Sequence, residues 1–454
     1  MKIYNTLTSK KEDFAPIEDK KAGIYTCGPT VYWYQHIGNL KAYIFSDIVK
    51  KVLEYNGFNV KHVMNVTDVG HLTSDADEGE DKVEIAARKE GRKAEEIANY
   101  YWNILKEDFK KLNIKEPVIW CKATENIKEQ IELVKRIEEK GLIYKTSDGI
   151  YFDTSKYKDY GAFARQNLEG IIAGKRVEVG EKKNPTDFAL WKFSKKPGTR
   201  QQEWESPWGV GFPGWHLECS AMSMKYLGEH FDIHTGGIDH ISVHHTNEIA
   251  QSESATGKKF VNYWMHGGFL TFKGEKVSKS KGGLFTISDL EKMNYRPLSY
   301  RYLVLTAHYR TQLNFSLEIL DGAQNSYIRL KTIINELTDD GRTNEKYLNE
   351  FKEAINDDLD MPKALSVLWQ LLRDKDALGK AGTIKEMDEV LSLDLMKKEK
   401  VEVSPEVKKL IDEREEARAE KNWARADEIR KILEKQGIIL EDGPNGVKII
   451  KKQL

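Results

Sequence analysis

Four side chains first suggest a metal site: Cys27, Cys219 in "GWHLECSAM", and His244 with Glu248 in "VHHTNEIAQ". Thiolate, imidazole and carboxylate all bind zinc, and four such donors make a tetrahedral set. His244 and Glu248 are four apart, so on a helix they share a face. The chain has no CxxC pair, and spacing alone leaves His240 and His245 competing as ligands. Buried thiols also serve as small apolar fillers. Cys121, in "VIWCKATEN", reads as incidental.

Two further patterns suit phosphate. "HIGN", His36 to Asn39, follows a strand pattern and precedes a helical one. Gly38 lets a ligand approach the backbone, and Asn39 reads as the N-cap of a helix starting at Leu40. A helix N-terminus offers free amides and a positive dipole end, and His36 can donate to a phosphate oxygen. "KVSKSKGG", Lys276 to Gly283, holds three lysines on a glycine-containing loop. Lys276 and Lys279 can both reach a polyphosphate, and a mobile loop could clamp charge developing in nucleotidyl transfer. Between these, "HTGGIDH" contains a Gly-Gly-x-Asp turn that can pass beneath a nucleotide, with Gly237 in the turn and Asp239 accepting from ribose hydroxyls.

The elements that must position these groups alternate. "AGIYTCG" reads as a buried strand, and Leu40, Ile44, Ile48 and Val52 mark one face of a helix to Tyr55. "NVKHVMNVTDV", Asn59 to Val69, reads as the next strand. Such a βαβ unit binds ligands beyond the carboxyl ends of its strands. An acidic stretch, Ser74 to Glu84, is a loop or helix start, and helical patterns follow from about Ala86 to Leu112 and Glu125 to Gly141. From Tyr151 to Glu205 the rhythm breaks into polar, turn-rich sequence, an insertion between two halves of an α/β domain. The second half resumes near Trp208, and Arg301 to Met396 is almost wholly helical. "KKEKVEVSPE" reads as a linker. The tail closes on helices and a hairpin, "GIILEDGPNGVKII".

Composition bounds the rest. The chain has 454 residues, 40% apolar and 31% charged, with net charge −1 and three cysteines. That is a globular composition with room for several domains and no global basic field, so any nucleic-acid contact must use local patches. The last 54 residues carry 12 basic and 12 acidic side chains. No apolar run approaches the roughly 20 residues that cross a bilayer. The N-terminus lacks a secretory signal pattern, and sparse cysteines suit a reducing compartment. The expectation is a cytoplasmic protein that does not touch membranes.

Taken together, the motifs resemble the cysteinyl-tRNA synthetases, a class I aminoacyl-tRNA synthetase family. "TCGPTVYWYQHIGN" resembles its HIGH-type signature and "KVSKS" its KMSKS loop. "DFALWK", "PWGVGFPGWHLECSAM" and "HTGGIDHISVHHTNE" resemble its zinc and nucleotide segments. "LDMPKAL" falls in its helical bundle, and Ala417 to Val447 resembles its anticodon-recognition region. The resemblance implies a Rossmann-like, doubly wound parallel sheet with an insertion, then an α-helical bundle and a small C-terminal α+β module. The expected boundaries are 1–125 and 207–272 for the catalytic halves and 126–206 for the insertion. The KMSKS-type and stem-contact region takes 273–315, the bundle 316–396 and the anticodon module 397–454.

It also implies roles. Cys27, Cys219, His244 and Glu248 fall on the zinc positions. His36, Gly38 and Asn39 fall on the ATP-phosphate motif, Lys276 and Lys279 on the loop lysines, Gly237 and Asp239 on the nucleotide turn, and Thr67 and Trp215 on the cysteine pocket. The implied reaction joins L-cysteine to ATP, then to the 3′ end of tRNA(Cys), using one Zn²⁺, and Mg²⁺ with ATP. The chain itself leaves no apolar stretch over once the domains are assigned, so a monomer is expected. Zinc selects the substrate thiolate, so the site either expands to five-coordinate or holds Glu248 weakly. No segment is large enough for an added editing domain. The sequence departs from the family at Val243, Thr235, His240, Thr246 and Val277, and "VGHLTSDADEGEDKVE" stands where "VDDKI" is expected. Two rivals share these motifs: a cysteine ligase acting on a small amine, and a non-catalytic nucleotide- or RNA-binding protein.

Overall fold

The computed structural model describes residues 1–73, 79–164, 181–272, 275–276, 285–398, 405–435, 438–443 and 446–451. In chain order it begins with strands β1 (Lys2–Asn5), β2 (Lys10–Asp13) and β3 (Lys21–Thr26), helix α1 (Ile37–Tyr55) and strand β4 (Asn59–Val66). Helices α2 (Lys82–Glu90) and α3 (Ala94–Lys111), strand β5 (Ile119–Lys122) and helix α4 (Ile127–Glu139) follow. Next come strands β6 (Ile143–Lys145), β7 (Gly149–Phe152), β8 (Phe188–Phe193) and β9 (Gly211–Pro213), helix α5 (Trp215–Leu227) and strand β10 (Phe231–Gly237). Helix α6 (Thr246–Thr256) leads to strands β11 (Val261–Gly267), β12 (Leu270–Phe272) and β13 (Glu275–Lys276). Beyond them lie α7 (Ile287–Lys292), α8 (Pro297–Leu305), β14 (Leu313–Phe315), α9 (Leu317–Asn335), α10 (Glu345–Asn356), α11 (Met361–Arg373) and α12 (Lys380–Leu391). The chain closes with α13 (Pro405–Ala419), α14 (Trp423–Lys435) and the hairpin of β15 (Ile438–Gly443) and β16 (Gly446–Lys451).

The central sheet runs β11-β10-β3-β4-β5 with every pair parallel. Successive strand residues point to opposite faces, and this divides the core in two. Ile24, Met64 and Met265 join α1 in one apolar cluster, which continues into the helical bundle. Their neighbours Tyr25, Val63 and Trp264 join Met222 of α5 in the other. Both faces are covered, as a parallel sheet requires. The chain leaves β3 through α1 to β4 and returns much later to β10 on the other side of β3. The strand order therefore reverses at β3 and β10, and a crevice opens at their carboxyl ends.

A buried ion pair ties helix α8, and through it the bundle, to this sheet. Arg301 of α8 donates to Asp47 of α1 at 2.7 Å, to Leu391 O at 2.8 Å and to Leu112 O at 3.0 Å, and both charged side chains are fully buried. Lys51 completes the pair at 2.7 Å from the same carboxylate.

Three sequence expectations shift. Helix α1 starts at Ile37, so His36 and not Asn39 is its N-cap. The helical pattern from Ala86 to Leu112 is two helices, broken where Gly91 takes a left-handed φ of 64°. The turn-rich stretch from Tyr151 contributes the end of β7 and all of β8 to an antiparallel sheet ordered β6-β7-β8-β9. Aromatic packing of Phe152 on Phe188, 5.0 Å between ring centres, offsets its polar composition. Much of the acidic stretch, most of the lysine loop and most of the linker lie outside the described residues.

Candidate active site and metal centre

Cys27 follows the last residue of β3, and Cys219 lies one turn into α5. His244 and Glu248 share a continuous helical stretch, a π turn over Ile241–His245 followed by α6. The π turn shifts the helical phase just where His244 must point inward, and such bulges favour functional sites. All four side chains are buried, and their ligating atoms lie within 4.8 Å of one another. A zinc ion with bonds of about 2.0–2.3 Å needs its donors roughly 3.3–3.8 Å apart, so this donor set fits that ion. His244 Nε2 is 3.0 Å from Glu248 Oε1.

A second set of four overlaps the first. Cys27, His234, His245 and Glu248 also bring their ligating atoms within 4.8 Å. His245 Nε2 is 3.2 Å from Cys27 Sγ, and His234 Nε2 is 3.0 Å from the other oxygen of Glu248. His245 thus remains a geometric competitor, whereas His240 joins neither set. Sequence spacing missed His234 because it reaches the cluster only once β10 pairs with β3. Behind the cluster, His245 Nδ1 meets His266 Nε2 at 2.8 Å, and His266 Nδ1 meets Thr6 Oγ1 at 2.7 Å. His244 Nδ1 meets His216 Nδ1 at 2.8 Å. Such outer partners fix ring orientation for ligation. Gly236 makes room: a Cβ there would stand 2.6 Å from the His245 ring.

The electrostatics follow from burial and from these contacts. Burial pushes the Cys27 thiol well up, with Cys219 adding to it. Burial opposes ionisation of Cys219 too, but the Cys27 hydrogen bond and the His244 charge bring its thiol down to about 6. Burial would also lower His244, yet Glu248 and Cys219 hold its imidazole up at about 10. Glu248 is held near 2 against its burial by His234 and His244. Cys219 and Glu248 are therefore the anionic donors at neutral pH, and a metal binding there displaces the protons that Cys27 and His244 carry.

The phosphate-facing feature sits at the next turn of the same sheet edge. His36 accepts from Asn39 N–H at Nδ1 (3.3 Å), and Asn39 Oδ1 accepts from His36 N–H (3.2 Å), a reciprocal capping box. A Cβ on Gly38 would lie 2.9 Å from the His36 ring, so glycine lets the imidazole fold over the first turn. Ile37 N–H donates to Phe285 O at 2.8 Å, and Tyr300 Oη donates to Ile37 O at 2.6 Å, which anchors the loop to the segment after the lysine motif. Lys276 contributes its backbone to β13, while Lys279 lies outside the described residues. Gly237 ends β10 and Asp239 projects from the following turn, exposed to solvent. Thr67 is buried beyond β4 and accepts from Asn65 Nδ2 at 3.0 Å. Trp215 opens α5 with its indole 4.3 Å from the His244 ring, so it borders the cluster directly. Cys121, by contrast, is buried on β5 with its thiol 3.5 Å from Met64 O, outside both metal sets.

The family described as the class I (C) tRNA synthetase catalytic domain matches residues 13–325, and the cysteinyl-tRNA ligase anticodon-binding domain matches 400–449. The chain belongs to the cysteinyl-tRNA ligase family. Within that family it is 50% identical to cysteine–tRNA ligase 1 of Burkholderia lata, over 98% of this chain and 96% of that one. It is 46% identical to cysteine–tRNA ligase of Treponema denticola, over 97% and 98% of the two chains. Among solved structures, methionyl-tRNA synthetase of Mycobacterium tuberculosis with methionyl-adenylate superposes with a TM-score of 0.57 at 16% identity, covering 82% of this chain and 90% of that one. At that identity the likeness speaks for the class I fold. A cysteinyl-tRNA ligase thus presents its buried thiol–imidazole–carboxylate cluster beside a capped helix N-terminus, at the switch point of a class I sheet.

Proposed function

We propose that this protein activates L-cysteine with ATP to cysteinyl-adenylate and transfers the cysteinyl group to the 3′-terminal adenosine of tRNA(Cys). The observation that carries the reading is the joint placement, at one sheet edge, of the Cys27–Cys219–His244–Glu248 cluster and the His36–Asn39 helix N-terminus. One site suits a thiol and the other suits phosphate, so the substrate carboxylate lies between them.

In the first step a carboxylate oxygen attacks the α-phosphorus, the α–β phosphoanhydride breaks, and pyrophosphate leaves with the electron pair. His36 and the positive dipole end of α1 steady the charge that develops on the phosphate oxygens. Lys276 and Lys279 close over the pyrophosphate, and Gly237 and Asp239 hold the ribose side of the nucleotide. Thr67 and Trp215 line the amino-acid side. In the second step a ribose hydroxyl of the tRNA attacks the acyl carbon and AMP leaves.

Cys27, Cys219, His244 and Glu248 would hold the metal, with Glu248 the weakest donor because His234 shares its carboxylate. Zinc, when bound there, favours a thiolate over the hydroxyl of serine, a distinction that pocket shape alone makes only about 10–200-fold. Mg²⁺ accompanies ATP. Two thiols suit a soft metal better than the single thiol of the overlapping set, which supports the first set as the resident one. The reading keeps the division 1–125 and 207–272 for the catalytic halves, 126–206 for the insertion, 273–315 for the loop and stem-contact region, 316–396 for the bundle and 397–454 for the anticodon module. It takes the unit as a cytoplasmic monomer, in keeping with its three cysteines and the absence of a leftover apolar stretch. No helix among the described residues is long and apolar enough to cross a membrane.

Cysteine-dependent ATP–pyrophosphate exchange by the zinc-loaded protein, followed by charging of tRNA transcripts, tests this. Exchange and charging together support it. Exchange without charging points to a small acceptor, and no exchange contradicts an enzyme of this kind.

A further inference from the structure

The segment after β4, "VGHLT", departs from the sequence its family resemblance leads one to expect, and the structure gives its histidine a specific contact. The His71 imidazole stacks on the Trp215 indole with ring centres 4.3 Å apart and planes 7° apart. The same indole lies 4.3 Å from the ring of His244. His71 and the metal cluster are thus two sides of one aromatic contact chain.

The imidazole is held from both ends. Its Nδ1 is 2.7 Å from Thr30 Oγ1, and its Nε2 is 2.7 Å from Lys82 Nζ. An ammonium only donates, so Nε2 is the bare nitrogen and Nδ1–H donates to Thr30. This fixes tautomer and ring plane together. Burial and the neighbouring Lys82 charge keep the ring neutral, so it offers Trp215 a flat aromatic face and not a cation. The backbone around it is also clamped. Lys82 N–H donates to His71 O at 3.0 Å, and Gly70 N–H donates to Asp81 Oδ2 at 2.6 Å. Asp81 in turn caps α2 through Val83 N–H at 2.8 Å. The start of α2 is therefore rigidly joined to the ring that lies on Trp215.

We infer that His71 is a positioning residue for the amino-acid pocket: stacked on Trp215 and locked by Thr30 and Lys82, it fixes the indole beside His244, where the substrate side chain must pass to reach the metal cluster. The effect on catalysis rests on the function proposed above, but the effect on Trp215 does not. His71 belongs to neither metal set and its stacking partner is the residue assigned to cysteine, so its influence falls on cysteine and not on ATP.

The test follows Trp215 directly. The protein is labelled with 5-fluorotryptophan, and the Trp215 fluorine resonance is assigned with Trp215→Phe. His71→Ala is expected to shift and broaden that resonance, and His71→Phe, which keeps a flat ring but loses both holds, to restore it in part. In ATP–pyrophosphate exchange, His71→Ala is expected to raise KM for cysteine roughly 3- to 10-fold, the worth of an aromatic pair, with kcat and KM for ATP unchanged. Thr30→Val, which removes one hold on the ring, is expected to move both readouts less in the same direction. An unmoved Trp215 resonance in His71→Ala overturns the inference. So does equal behaviour of the Ala and Phe variants, or a parallel rise in the KM values for cysteine and ATP. Should the wild-type protein show no exchange, the proposed function fails and the fluorine signal alone decides the role of His71.

Discussion

His244 Nε2 and Glu248 Oε1 lie 3.0 Å apart within a helical stretch that is buried at both residues. One helical turn therefore delivers two donors to the same point, where Cys27 from the end of β3 and Cys219 from α5 meet them. Loss of Cys219 or His244 is expected to lower zinc affinity by more than about 100-fold, since even removing a ligand's outer partner costs roughly 10–100-fold. His216→Ala, which frees Nδ1 of His244, is expected to fall in that smaller range. His245→Asn is expected to leave affinity within a factor of a few. Titration against a chromophoric chelator reads all four.

His36 caps α1 and faces the position proposed for phosphate. His36→Ala is expected to lower kcat for pyrophosphate exchange by about 100- to 1000-fold, the usual loss for one preorganised donor. KM for cysteine is expected to stay nearly constant. A change in cysteine KM with kcat intact would place His36 on the wrong substrate. Asn39→Ala removes half of the capping box and is expected to cost about 1 kcal/mol of stability, read by urea denaturation.

Arg301 joins the bundle to α1 through Asp47, with both side chains fully buried. Burial opposes ionisation of Asp47, but Lys51 and Arg301 hold its carboxyl below the ordinary range. Arg301→Ala removes one of the two cations that hold this buried carboxylate and is expected to destabilise by about 3–5 kcal/mol. Because the carboxyl is depressed, the stabilisation is present above the unfolded value near ~4 and is lost as pH falls further. The gap between wild type and variant is therefore expected to narrow in acid.

Asp108 of α3 behaves in the opposite sense. Its burial pushes the carboxyl up to about 7, aided by Glu291 and Glu107 and opposed by Lys111. Between about pH 4 and 7 the folded chain keeps a proton that the unfolded chain has released, so stability falls as pH rises through that window. Asp108→Asn is expected to flatten this decline and to exceed the wild type by about 1–3 kcal/mol at pH 8. Equal slopes in denaturation at pH 5 and pH 8 would contradict it.

Much of this was legible from periodicity and residue type. The apolar run of β3, the i, i+4 face of α1 and the second strand announced a parallel α/β unit, and His244 with Glu248 announced a shared helical face. Local rules went wrong where the residue was unusual or the partner remote. Histidine is not a common N-cap, so α1 was read three residues short. The strands β7 and β8 carry aromatic residues amid polar loops, and only their pairing in space reveals a sheet. His234 and His266 reach the cluster because β10 and β11 pair in register, with Gly236 opposite His266. Nothing in their spacing along the chain announces that.

The central claim is that Cys27, Cys219, His244 and Glu248 hold the metal and leave it able to take the substrate's sulfur. Zinc K-edge X-ray absorption on the zinc-loaded protein, alone and with cysteine or serine, tests it most directly. The account predicts two sulfur donors in the protein alone, three with cysteine, and two still with serine. A single sulfur donor at the outset would mean that the His234–His245 set holds the ion, and a sulfur count unmoved by cysteine would contradict selection at the metal.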